Sequence, residues 1–361
     1  VVNTGYKQSL YFGNETSYGS AATVDQPIGL VQSVSPTETN NLMKIRTLGG
    51  TRDYSNLVPG KFEVSGSFDY LLQGGAFLRM AIGEDTGTTA TVDSGPKIHY
   101  NGTTNAYLHI MGSAASPTSD DFPSFTLEFG DDEGDGTKNM IRTYRGCRVN
   151  STTINGTIDE PVKISVDWIG QSVVVSSASA TSVSESTVDP YVFYQGQVYM
   201  QGTAVTSATV PAQGTKVCLL NSFDFSVNNN LEATWYIAGT CSGSTDLRAL
   251  KSLIPKGRDY EANININFAN KSMYQKFLGS ATATTPQTTL AAYQVVIDFV
   301  RTGTIGTPGM TDDWMRVVLE NVKFNDNAIS GAPEDIISQN LGIFVPSAKV
   351  YVVDTDADYK A

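Results

Sequence analysis

The sequence predicts a mainly β protein made of two tandem β-sandwich modules, each with a short flanking helix. Three observations carry that prediction: a strand-favouring composition, long stretches of apolar/polar alternation, and a set of landmarks repeated in the same order in both halves. The 361 residues are 40% hydrophobic, include 33 glycines and are thick with Thr, Ser, Val and Asn, which favours strands and turns over long helices. The length suits two domains, each able to bury its own core.

Residues 1–23 read as an N-terminal arm and 24–178 as the first module. The stretch Ile28 to Leu42 matches Val217 to Leu231 at a constant offset, and each is followed by a strand ending in glycine, Gly50 or Gly239. Pro59 and Pro255 then open long alternating strands, Lys61 to Leu72 and Asp259 to Asn270. In the first, Glu63, Ser65, Ser67 and Asp69 share a polar face opposite Phe62, Val64, Phe68 and Tyr70. In the second, Asp259, Glu261, Asn263, Asn265 and Asn267 lie opposite Tyr260, Ile264, Ile266 and Phe268. Period two with one apolar face means a sheet buried on one side and wet on the other.

Short helical stretches follow, Gly74 to Ile82 and Ser272 to Leu278, ending at Gly83 and Gly279. Phe125 to Phe129 matches Val295 to Phe299, and Tyr144 through Asn150 to Ile154 matches Leu319 through Asn325 to Ile329. A last strand in the first half sets Val162, Ile164, Val166 and Trp168 against Lys163, Ser165 and Asp167. Residues 179–190 read as a linker, 191–349 as the second module and 350–361 as a C-terminal tail. The first half alone carries a Gly/Thr/Ser/Asp-rich insertion, 85–123, which reads as a surface loop.

Composition excludes several classes of function. Formal net charge is −12 with no Lys/Arg cluster, so tight binding to phosphates is disfavoured and a polyanion is repelled. Three cysteines without a CxxC pair signal neither a disulfide framework nor a zinc site. No run of eighteen apolar residues and no basic-then-apolar N-terminal segment occur, so a soluble protein without a membrane partner is expected. Gly49-Gly50 and Gly74-Gly75 lack any nucleotide-loop context and read as turn glycines, so no cofactor is expected.

No catalytic constellation appears. His99 and His109 both fall in the 85–123 insertion and read as polar loop residues. Asp131, Asp132, Glu133 and Asp135 form an acidic Gly-rich loop and a weak Ca²⁺ candidate. Their spacing is not that of an EF-hand, and the matching loop Gly303 to Gly309 carries no acids, so no metal and no enzyme are expected.

Two sets of residues carry a family resemblance. Phe223 to Ala233 contains Asn229-Asn230-Leu231-Glu232, followed after a variable loop by Pro255, Gly257 and the long strand; the first half repeats this as Asn40-Asn41-Leu42, then Pro59-Gly60. This pattern resembles the tail tube (major tail) proteins of tailed viruses. The resemblance implies a structural virion protein whose modules form rings of six, with inner sheets joined into one multi-chain β-barrel and rings stacked into a conduit for viral DNA ejection into the host. With two modules per chain the ring is a pseudo-hexameric trimer of about 24 strands, wide enough for an open lumen. It further implies that Glu63, Ser65, Ser67, Asp69, Asp259, Glu261, Asn263, Asn265 and Asn267 face that lumen. The implied partners are further copies of the chain, other tail proteins (tape measure, terminator, baseplate or tip) and double-stranded DNA in transit without tight binding. The implied location is the virion tail, assembled in the host cytoplasm. The alternative is a tandem β-sandwich surface adhesin or surface-layer protein, which calls for an export signal.

Overall fold

The computed structural model describes residues 8–48, 50–83, 107–112, 122–132, 139–177, 183–184, 186–201, 214–236, 248–307, 310–354 and 359. In the first half the elements are β1 (Gln8–Asn14), β2 (Gln26–Pro27), β3 (Leu30–Thr39), β4 (Met43–Ile45), β5 (Asn56–Val58), β6 (Glu63–Leu71), α1 (Leu78–Ile82), β7 (Tyr107–Gly112), β8 (Phe125–Asp132), β9 (Asn139–Thr157), β10 (Lys163–Gly170) and β11 (Ser172–Ser176). The second half supplies β12 (Gly196–Gln201), β13 (Thr215–Lys216), β14 (Leu220–Asn228), β15 (Glu232–Thr234), β16 (Ser252–Ile254), β17 (Asp259–Asn267), α2 (Ser272–Leu278), β18 (Tyr293–Thr307), β19 (Met310–Ser330), β20 (Ser338–Val345) and β21 (Ser347–Asp354). The protein is mainly β, as expected.

An inner sheet runs through both halves in the order β3-β6-β10-β9-β14-β17-β20-β19, all antiparallel. The first four strands match the last four one for one, down to the register. Val34 pairs with Phe68 as Phe223 pairs with Ile264, and β3 and β14 carry bulges at the matched positions Gln32 and Asn221. Two outer layers cover this sheet. Over the first half the order is β2-β1-β8-β9-β11, and over the second it is β13-β12-β18-β19-β21-β7.

The long strands β9 and β19 serve both layers. Their N-terminal parts pair in the outer sheets and their C-terminal parts in the inner sheet, with a bulge at Asn150 in β9 and at Asn325 in β19. A bulge adds one unpaired residue and bends the strand, which carries each strand from one layer to the other.

The core lies between the layers. Phe77, entering α1, packs edge-on against Phe12, Phe68 and Phe125 at centroid distances of 5.0, 5.2 and 5.3 Å. Trp168 lies across the strand from Gly66, where an added Cβ would meet the indole at 2.7 Å; only glycine leaves that space. One continuous apolar cluster includes residues of both halves, among them Trp168, Phe225, Ile264 and Phe299.

Several expectations change here. The segment read as an N-terminal arm contains β1, an internal strand of the first outer sheet that pairs with β8 as β12 pairs with β18. The segment read as a C-terminal tail begins as the second half of β21. The insertion 85–123 is not wholly loop: β7 lies in it and pairs with β21, so the first half supplies an edge strand to the second half's outer sheet. His109 therefore sits in a strand, buried and stacked on Tyr359 at 3.6 Å, while His99 falls outside the described residues. In the linker region, Gln73 donates to the carbonyls of Ser186 and Val188. Arg301 pairs with Asp313 and also reaches the carbonyls of Gln73 and Asp189.

Candidate assembly surface: the wet face and edges of the inner sheet

The face of the inner sheet turned away from the core is mostly polar, with Phe344 of β20 its one large exposed apolar side chain and Ile169 of β10 partly exposed beside Ser65. Glu63, Ser65, Ser67 and Asp69 on β6 and Asp259, Glu261, Asn263, Asn265 and Asn267 on β17 all lie on it, partly or fully exposed and alternating with buried neighbours. Register places Ser165 and Asp167, Ser151 and Thr153, and Asp224 and Ser226 between those two rows. The carboxylates on this face are Glu63, Asp69, Asp167, Asp224, Asp259, Glu261 and Asp326; the lysines are Lys163 and Lys323. Seven acids against two bases on the strands, with Lys61 paired to Glu63 at the rim, leave the face negative, a surface that repels a polyanion.

Neighbouring side chains hold these groups in place. Asp69 receives Lys163 Nζ at 2.9 Å and Ser33 Oγ at 3.0 Å. Partial burial alone would raise its pKa, but hydrogen bonds from Ser165, Lys163 and Ser33 hold the carboxyl below its ordinary value. Glu63 is lowered chiefly by its hydrogen bond from Lys61, assisted by Asn41. Asn263 Nδ2 donates to Asp224 at 2.9 Å, and Asn221 donates to Asn265 and Asn267 at 3.0 and 2.7 Å.

The paired-asparagine motif has a physical role in both halves. Asn41 and Asn230 occupy matched positions and both have positive φ, +45° and +47°, a backbone region that asparagine tolerates better than most residues. Each side chain then clamps the start of the next long strand. Asn41 Nδ2 donates to Glu63 at 2.7 Å and to the Lys61 carbonyl at 3.3 Å; Asn230 Nδ2 donates to Asp259 and to the Gly257 carbonyl, both at 2.7 Å. At Gly60 an added Cβ would fall 2.3 Å from the Asn41 carbonyl oxygen. Pro59 and Pro255 follow the outgoing strands of the small hairpins β4–β5 and β15–β16. Glu232 pairs with Lys256 at 2.5 Å, and Leu42 is exposed.

The other asparagine of each pair divides the halves. Asn229 is 1% exposed and sits at the joint between β9 and β14. Its backbone N–H donates to the Asn150 carbonyl at 2.8 Å, and its Nδ2 donates to the carbonyls of Val149 and Ala81 at 2.9 and 3.0 Å. Its Oδ1 accepts from Arg258 Nε at 2.6 Å, while Leu231 N–H donates to Asn150 Oδ1 at 3.1 Å. Asn40, its counterpart, is exposed on the outer edge of β3. Among the described residues, β3 has β6 as its only strand neighbour, and residues 323–330 of β19 have only β20.

The family model for phage tail tube protein matches residues 5–343. The chain belongs to the phage tail tube protein family. Among curated proteins none matches. As a tail tube protein it is a structural component of the virion tail that assembles with itself and with other tail proteins. The mainly β sandwich described above fits that assignment.

The motif residues Asn40, Asn41, Leu42, Pro59, Gly60, Asn229, Asn230, Leu231, Glu232, Pro255 and Gly257 are thus turn and joint residues around the inner sheet. Sequence reasoning matched Asn150 with Asn325 as landmarks of the repeat without giving them a role, and assigned none to Arg248 or Arg258. The arginines have no counterpart in type that would flag them, apart from Arg52 opposite Arg248. Of the weak calcium candidate, Asp131 is engaged by Arg142 at 2.5 Å and by Gln8 at 2.7 Å. Glu133 and Asp135 lie outside the described residues, and among the described residues no group of three metal-ligating side chains occurs.

Proposed function

We propose that three copies of this chain close into a ring whose inner wall is a barrel of about 24 strands, that rings stack into the tail tube, and that viral DNA passes through the lumen during ejection. One observation carries the proposal. The inner sheet consists of two matched four-stranded units already joined side by side, and its two open edges are of the same kinds as the two strands that meet at that joint. A heterologous edge-to-edge contact of this sort closes when the rotation per unit divides a full turn. Six units, three chains, complete the pseudo-hexamer.

The polar face bearing Glu63, Ser65, Ser67, Asp69, Asp259, Glu261, Asn263, Asn265 and Asn267 lines the lumen in this reading. Its excess of carboxylates keeps DNA from adhering to the wall, since tight neutralisation of phosphates needs the opposite charge. Tape-measure, terminator and baseplate or tip proteins are the further partners, and assembly takes place in the host cytoplasm. Electron microscopy of concentrated protein tests the stoichiometry: class averages with threefold symmetry are expected, and sixfold rings of whole chains or persistent monomers would sink the proposal. The combined changes Glu63→Lys and Glu261→Lys should leave rings intact and impede DNA delivery by particles; unaltered delivery would remove these residues from the lumen.

A further inference from the structure

The joint inside the chain supplies a template for the joint between chains, and we infer that β3 of one copy pairs with the 323–330 segment of β19 of the next in the register that β14 and β9 already adopt. This rests on the tube reading above and specifies its contact. β14 maps on β3 at an offset of 189 residues, and β9 maps on β19 at an offset of 175; the bulges in all four strands fall at matched positions. Within the chain Ser226 faces Thr153 and Phe225 faces Ile154. Between chains the same register places Thr37 opposite Ala328 and Pro36 opposite Ile329, and all four outward positions needed for this are partly or fully exposed.

The clasp at the end of the strand carries over as well. Asn40 takes the place of Asn229 and the partner copy's Asn325 that of Asn150, so Asn40 N–H meets the Asn325 carbonyl and Leu42 N–H meets Asn325 Oδ1. The Asn40 side chain is already set for this. Arg248 donates to its Oδ1 at 2.6 Å, as Arg258 does to the Oδ1 of Asn229. Arg248 also donates to the Gly60 carbonyl at 2.7 Å, bracing one half against the other. Its counterpart at the same offset as β17 on β6 is Arg52, exposed on the first-half hairpin, which meets the carbonyl of Lys256 in the adjoining copy. Pro36 stands where the internal joint has Phe225 and lacks the N–H that Phe225 brings to its ladder site. That joint therefore holds one ladder bond fewer than the internal one.

Disulfide trapping in the full chain tests the register. With Cys218 and Cys241 changed to Ser, the pair Thr37→Cys and Ala328→Cys is placed at a non-hydrogen-bonded site about 4.5 Å apart between Cα atoms, within disulfide reach. The control pair Ser33→Cys and Ala328→Cys lies on the same face, displaced by roughly 14 Å along the strand. Under mild oxidation the matched pair should give covalent dimer and trimer and no larger species, and the control should stay monomeric on a non-reducing gel. Linkage of the control in place of the matched pair, or rings imaged by microscopy with no linkage of the matched pair, overturns the register and leaves the tube reading standing. Neither rings nor linkage at any protein concentration overturns both.

Discussion

The two short helices occupy matched places in the two halves and differ in what covers them. In α1 the side chains of Leu78, Met80, Ala81 and Ile82 are all buried, whereas none in α2 is. Asn229 and Arg258 from the second half reach the last carbonyls of α1, those of Ala81 and Ile82, and satisfy groups that a helix end otherwise leaves open. α2 stands beside the segment of β19 that forms the sheet edge. In the proposed ring its half-exposed Met273, Phe277 and Leu278 are the place that a following copy would cover.

Matched substitutions at the two joints sharpen this comparison, beginning with the largest expected effect. Phe225, 1% exposed in the internal joint, corresponds to Pro36 at the open edge. Phe225→Ala should cost about 3–5 kcal/mol through the cavity it leaves, and Pro36→Ala less than about 1 kcal/mol, both read from denaturant midpoints of the monomer. Equal losses would mean that the edge strand is as firmly packed as the internal one. Next, Asn229→Ala should destabilise the monomer by about 2 kcal/mol, because Arg258 and two carbonyls lose a buried partner. Asn40→Ala should leave the monomer within about 0.5 kcal/mol of the parent while raising the concentration needed for ring assembly, measured by sedimentation. A monomer damaged equally by both changes would refute the distinction.

The smallest effect is electrostatic. Glu63 and Asp69 have folded pKa values below their ordinary ones, so their stabilising contribution is present above the ordinary carboxylate range and is lost as pH falls through the lowered values. Both groups are partly solvated, and screening keeps the contribution under about 1 kcal/mol. Stability measured from pH 7 down to pH 3 should fall less for the double variant Glu63→Gln, Asp69→Asn than for the parent. An identical fall in the two proteins would show that these pairs add nothing.

Much of this architecture was legible in the sequence because its signals are local. Alternation in Glu63 to Leu71 and Asp259 to Asn267 gave the faces of β6 and β17, and the landmarks from Ile28 to Leu42 and Val217 to Leu231 gave the repeat. The polar residues named for the lumen do share one sheet face, and the motif asparagines do occupy matched turns. What was not legible depends on distant pairing. The strand Tyr107–Gly112 has its partner in Ser347–Asp354, far along the chain, and its Gly/Thr/Ser-rich surroundings read as loop. Gln8–Asn14 has its apolar residues Leu10, Tyr11 and Phe12 in one short run that shows no clear period, and it finds its place through β8 and β2. Continuity of the inner sheet across the two halves follows from β9 meeting β14, which no periodicity within either strand announces. The buried role of Asn229 and the exposed role of Asn40 are equally invisible in a motif that spells both alike.

The union of β9 with β14 also bears on how fast a ring can form. Those two strands meet when the chain folds, at the high effective concentration of tethered partners, and need no diffusional encounter. In the proposed ring of three chains only three of the six joints form between chains, where six separate modules would have to form all six that way. The remaining steps are the only ones that dilution can slow, so joining the two halves in one polypeptide moves half of the closure from assembly kinetics into folding.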